Sequence, residues 1–200
     1  MGYRVHSLSS LPFEDDVDLY ILVINGALTE DIYGYLRKNF DRIAQNIGDR
    51  AVIAEGFNRE GWGEQVIDAY LKDYSTPSGT TFATYRDLYK FLPALLITDY
   101  HPKRVYRKEI RDHNALRLFI PLRDAKASYG DLDFFFRSLE DFTQNRSADF
   151  IANFETPGFL AQASQHHDVL MLQPNFFGIG ININAFLDKV GRRGRITDRK

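Results

Sequence analysis

The chain has no cysteine among its 200 residues, and that absence excludes more chemistry than any motif supplies. Disulfide bonds, thiolate nucleophiles, and zinc or iron-sulfur sites built on sulfur are all ruled out. Long apolar runs are missing too: no stretch approaches the roughly 18 residues of a membrane span. Met1 to Pro12 lacks the basic segment and apolar run of a signal peptide. The expectation is a soluble, cytoplasmic protein with no membrane partner. Tryptophan occurs once, as Trp62, and net charge is small at −2.

Catalytic signatures are also lacking. No Gly-x-Ser-x-Gly elbow and no His-Glu-x-x-His pair occurs, and His166-His167, adjacent in the chain, point different ways in any regular element. Gly178-Ile179-Gly180 precedes a helical stretch from Ala185, but it lacks the third glycine and the Lys-Ser/Thr of a phosphate loop. No cofactor and no metal is expected, and no residue is assigned a catalytic role.

What is present is a core. Hydrophobic residues make up 44% of the chain and aromatic residues 14%, with 16 Phe and 11 Tyr. That is enough for one domain with an appendage. Charge is uneven: Lys189 to Lys200 carries about +5, leaving about −7 elsewhere, so a basic tail ends the chain.

Asp18 to Ile24 is a continuous β-prone run closed by Asn25-Gly26, as in a strand covered on both faces. Thr29 then suits an N-cap, and Ile32, Leu36, Phe40, Ile43 and Ile47 recur at helical spacing up to Gly48, which predicts a helix over 29–47. Ala51 to Ala54 predicts a strand ended by Gly56. The stretch from Glu55 to Gly63 holds three glycines and Trp62, and reads as a loop before a helix from Glu64 to Tyr74. Trp62 is either the packing anchor of that loop or an exposed ring for a partner.

A short helix is expected over 84–91. Phe91 to Asp99 then reads as a buried central strand entered through Pro93, with an antiparallel neighbour over 115–122. Leu132, Phe135, Phe136, Leu139 and Phe142 give a core-facing helical stripe within 129–142. Met1 to Asp18 is expected to be an extended lead-in rather than part of the core. Residues 149–190 form a C-terminal extension, and 191–200 the basic tail.

Residues 19–144 thus run strand, helix, strand, helix, insertion, strand, strand, helix. That order is similar to the thioredoxin-like fold, in which a proline, usually cis, immediately precedes the third core strand. Leu92-Pro93-Ala94-Leu95-Leu96-Ile97 resembles that junction. The fold expected is therefore α/β, a thioredoxin-like mixed sheet flanked by helices. Where the family carries its Cys-x-x-Cys pair, this chain has Asn25 to Thr29, so thiol-disulfide exchange is excluded and the resemblance implies only the scaffold. It also implies a cis Pro93, against the plainer reading of a trans proline starting a strand. The corresponding surface would lie at Pro93 and Asn25 to Thr29.

Three functional readings result. The first is a non-enzymatic protein-binding or assembly module, with a protein partner or self-association, using Trp62, Phe176, Phe177 and Ile179. The second is an enzyme or small-ligand binder using Asn25, Thr29, Pro93, Asp99 and His101 near the carboxyl ends of the sheet. The third is a nucleic-acid-associated protein using Lys103 to Arg111 with Tyr100 and Tyr106 interleaved, together with the tail from Arg192 to Lys200. Nucleic acid is disfavoured, because the overall charge is acidic and no RNA-binding motif is readable.

Overall fold

The computed structural model describes residues 1–12, 16–26, 30–71, 84–102, 117–145 and 150. Five strands form one mixed sheet: β1 (Gly2–Val5), β2 (Leu19–Ile24), β3 (Ala51–Gly56), β4 (Ala94–Thr98) and β5 (Arg117–Pro121). Their order across the sheet is β1-β3-β2-β4-β5. The strands β1, β3 and β2 are parallel; β4 lies antiparallel to both β2 and β5. Strand β2 sits at the centre, and all six of its residues are buried, as its unbroken apolar run requires.

The side-chain period of two divides these strands between two cores. Leu19, Ile21 and Val23 join Ile53, Leu95, Ile97, Leu118 and Ile120 on the first face. Tyr20, Leu22 and Ile24 join Val52, Ala54, Leu96 and Phe119 on the second.

The first face is covered by helices α1 (Glu30–Asn46), α4 (Leu122–Tyr129) and α5 (Leu132–Asn145). Helix α1 buries Ile32, Leu36, Phe40 and Ile43, the stripe read from the sequence, and Gly48 at φ +80° follows its end. Thr29, the expected N-cap, lies outside the described residues. In place of one helix over 129–142, two helices meet at Gly130, whose φ of +81° is the left-handed conformation that glycine adopts without penalty. The first of them, α4, starts directly at the end of β5, so Leu122 is helical rather than the last residue of a strand. Asp131 Oδ1 accepts the Phe134 N–H at 2.6 Å and thereby caps the start of α5. Phe150 stacks on Phe142 with ring centres 5.0 Å apart. Helices α1 and α5 run side by side in the same direction, with the start of α5 beside the middle of α1: Asp133 accepts from Tyr35 at 2.7 Å and from Arg42 at 3.0 Å, and Asn46 donates to Glu140 at 3.2 Å further along.

The second face is covered by α2 (Arg59–Val66), a π-helical turn over Ile67–Leu71, α3 (Tyr85–Leu88) and the N-terminal segment. Two expectations change here. Residues 1–18 are not a lead-in: β1 pairs with β3, the Met1 ammonium donates to Ala51 O at 2.9 Å, and Leu8, Leu11 and Val17 are buried. The supposed loop over 55–63 is a strand end and a helix start. Asn58 caps α2 by accepting the Gly61 N–H at 3.3 Å, and Trp62 is helical. Close packing explains the glycines there, since a Cβ on Gly56 would lie 2.3 Å from Trp62 Cβ. The antiparallel pairing of 94–98 with 117–121 agrees with expectation. Among the described residues, no helix is long and apolar enough to cross a membrane.

Candidate functional site

The polar residues proposed from sequence fall at opposite ends of β4. Ile24 pairs with Ala94, so Asn25 lies opposite Pro93, one step beyond the ladder; Tyr20 pairs with Thr98, so Asp99 and His101 lie beyond the start of β2. At 3.3 Å or so per residue, the two ends are roughly 20 Å apart. Asn25 and Pro93 are brought together, and Asp99 and His101 are not part of that group. Thr29, Phe176, Phe177 and Ile179 lie outside the described residues, as does Lys103 to Arg111.

At the Asp99 end, His101 is buried, with Nε2 3.1 Å from Pro12 O and 3.3 Å from Leu11 O. Both partners are carbonyls, so Nε2 carries the proton and donates. The ring meets Tyr20 edge-on at 5.1 Å. His101 thus ties the N-terminal segment to the sheet.

At the other end, Asn25 is held at two points. Its backbone carbonyl accepts the Tyr85 hydroxyl at 2.5 Å, and its Nδ2 donates to Glu55 Oε2 at 3.3 Å, while Oδ1 is buried without a hydrogen bond. Glu55 can only accept, so the amide is not free to turn over. Glu55 is itself fixed by Arg4 Nε at 2.6 Å, and this hydrogen bond is the main reason the Arg4 pKa is raised. The guanidinium also lies over the Phe40 ring, 4.6 Å from its centre. The Leu92-Pro93 peptide is cis, and Pro93 O accepts the Leu122 N–H at 2.9 Å. Gly26 packs on Leu92 so closely that a Cβ would lie 2.3 Å from Leu92 Cβ.

Trp62 is 1% exposed, and its indole N–H donates to Val23 O at 2.8 Å. It packs beneath this end of the sheet instead of presenting a ring to solvent. The exposed rings are others, which the sequence reading did not single out. Phe57, Tyr89 and Phe134 are 59%, 51% and 61% exposed, the large hydrophobic side chains most open to solvent among the described residues.

Two of them belong to the Asn25–Pro93 end: Phe57 follows β3, which is parallel to β2, and Tyr89 begins the 3-10 turn Tyr89–Phe91 that leads to Pro93. Phe134 lies on the first face instead, beside Asp133, which bonds both Tyr35 and Arg42 about midway along α1. The signal that could have located them is the interruption of each apolar pattern at an element boundary, where a ring has no facing layer.

The carboxylates described at this end are occupied. Asp31 pairs with Lys126 at 2.8 Å, which lowers its pKa; further down the first face Asp133 pairs with Arg42 at 3.0 Å. Glu64 accepts the Tyr85 N–H and Asp87 the Thr84 N–H, each at 2.8 Å. Among the described residues, no group of three His, Asp or Glu side chains is arranged to hold a metal ion. No family model, no curated protein and no solved structure matches the chain.

Proposed function

We propose that the protein is a non-enzymatic protein-binding or assembly module on a cysteine-free thioredoxin-like scaffold. Support for the scaffold comes from the strand order, the antiparallel β4 entered through a cis proline, and helices on both faces. The single observation that carries the binding role is the exposure of Phe57 and Tyr89 at the Asn25–Pro93 end of the sheet, with Phe134 exposed on the first face. Aromatic residues left in water where the rest of the core is closed mark a contact surface. The ligand-binding alternative built on Asn25, Thr29, Pro93, Asp99 and His101 is weakened, because the length of β4 separates Asn25 and Pro93 from Asp99 and His101.

The test is a triple variant, Phe57→Ala, Tyr89→Ala and Phe134→Ala, compared with the full native chain by light scattering and by affinity capture of partners. The triple variant should lose self-association or the captured partner while its unfolding temperature stays close to that of the native chain. Unchanged association in the triple variant sinks the proposal.

A further inference from the structure

We infer that Asn25-Gly26 is a deamidation site that the native fold holds closed, and that Glu55 makes the fold intolerant of the product. Asn25-Gly26 is the single Asn-Gly pair of the chain. A glycine after asparagine has no Cβ to hinder its own backbone nitrogen from approaching the asparagine side chain. In the reaction the Gly26 nitrogen gives up its proton to water and bonds to Asn25 Cγ, the Cγ–Nδ2 bond breaks, and ammonia leaves. Water then opens the resulting succinimide ring to aspartate or isoaspartate at position 25.

Each step is opposed where Asn25 sits. Ring closure requires the side chain and the peptide that follows it to turn toward each other. The side chain is tied to Glu55 through Nδ2 at 3.3 Å, the carbonyl of that peptide accepts the Tyr85 hydroxyl at 2.5 Å, and Gly26 is packed against Leu92. Negative charge develops on Oδ1 in the tetrahedral intermediate, where a hydrogen-bond donor would stabilise it. Among the described residues none donates to Oδ1. Departure of ammonia requires Nδ2 to take up a proton, and the group it touches, Glu55, is bonded to Arg4 and serves as an acceptor. Burial of Asn25, 4% exposed, also keeps water from the ring. The product is opposed in turn. An aspartate at 25 sets a buried carboxylate against Glu55 in place of an amide donor, and the neighbouring cation, Arg4, is already divided between Glu55 at 2.6 Å and Asp41 at 3.6 Å. Deamidation thus proceeds in the unfolded chain, and its product is hindered from refolding.

The test follows residue 25 by mass spectrometry of the peptide that spans it, with the full chain held at mildly alkaline pH either folded or in urea. Conversion should be at least about tenfold slower in the folded chain. Equal rates overturn the protection. For the product, Asn25→Asp should lower the midpoint of urea unfolding at neutral pH. The same substitution made in a Glu55→Gln chain should lower it far less, since the added carboxylate then meets an amide that can donate. An equal loss in both backgrounds, or no loss in either, overturns the role given to Glu55. If Asn25→Asp alone does not fold, circular dichroism of the double variant is the readout: a folded double variant supports that role, and an unfolded one overturns it.

Discussion

The two faces of the sheet are held by different means. On the first face, strand side chains meet α1, α4 and α5 through Ile, Leu, Val and Phe, and polar contacts run along the outer seam between helices. Glu140, 9% exposed, is the deepest of these, with Oε1 3.8 Å from the Arg42 guanidinium. On the second face, buried aromatic residues each send a polar atom to a backbone carbonyl. Trp62 reaches Val23, Tyr85 reaches Asn25, Tyr70 reaches Tyr100 at 2.8 Å, and His101 reaches Pro12. An apolar contact is non-directional and tolerates exchange of similar volumes. A ring that is also a donor fixes position, because losing it strands an acceptor. The second face therefore sets the geometry of the Asn25–Pro93 end, and the first supplies bulk stability.

The sharpest way to break this comparison is at Trp62. Trp62→Ala should cost about 3–5 kcal/mol, as expected for emptying a large buried site. Trp62→Phe keeps a ring but strands Val23 O, at a cost of about 1–3 kcal/mol from the lost hydrogen bond alone. On the first face Ile53→Val should cost only about 0.5–1.5 kcal/mol. Urea unfolding of the three variants gives the order. Equal costs for Trp62→Phe and Ile53→Val would remove the distinction between the faces.

A smaller effect is expected from Gly56→Ala. The added methyl group would meet Trp62 Cβ at 2.3 Å and Cγ at 2.4 Å, so the helix or the ring must shift. A loss of about 1–3 kcal/mol is expected in the same unfolding assay. The near-ultraviolet signal of the single tryptophan should change as well. Retained stability with an unaltered tryptophan spectrum would show that the second face yields more easily than its hydrogen bonds suggest.

The smallest effect concerns pH and the seam of the first face. Burial, and then the hydrogen bond to Asp133, raise the Tyr35 pKa above the ordinary phenol value. A group whose pKa is raised on folding gives its stabilisation in full below the unfolded value, near 10, and loses it as pH rises from there through the folded value. Thermal melts should therefore show a shallow fall in stability above about pH 10 that Tyr35→Phe reduces. An alkaline limb identical in the variant would assign the fall to other groups.

Much of this architecture was legible in the residues. The uninterrupted run Leu19 to Ile24, the stripe from Ile32 to Ile47 and the Phe-rich stripe of α5 each bury a continuous face, and periodicity reports such burial directly. The run after Pro93 and its antiparallel neighbour were legible for the same reason. Strand β1 was not, because Gly2, Tyr3 and Arg4 are a short edge strand held by backbone pairing to β3, which leaves no apolar period. The N-terminal half of α2 was hidden by Gly61 and Gly63, residues of low helix propensity that fit here because the Asn58 and Tyr85 side chains occupy the adjacent space. Helix α4 was hidden by brevity and by Pro121 at its entry.

By itself, the sequence determined which chemistries are impossible and which stretches are buried, since composition and local period carry that information. It also placed Asn25 and Pro93 at corresponding ends of their strands. The tertiary structure alone decided that Asp99 and His101 belong to the far end, that Trp62 points inward, and that Phe57 and Tyr89 share one end of the sheet. The physical reason is direction. Strand order and strand polarity come from long-range pairing, and a side chain's neighbours at a sheet end are residues that the chain visits at widely separated points.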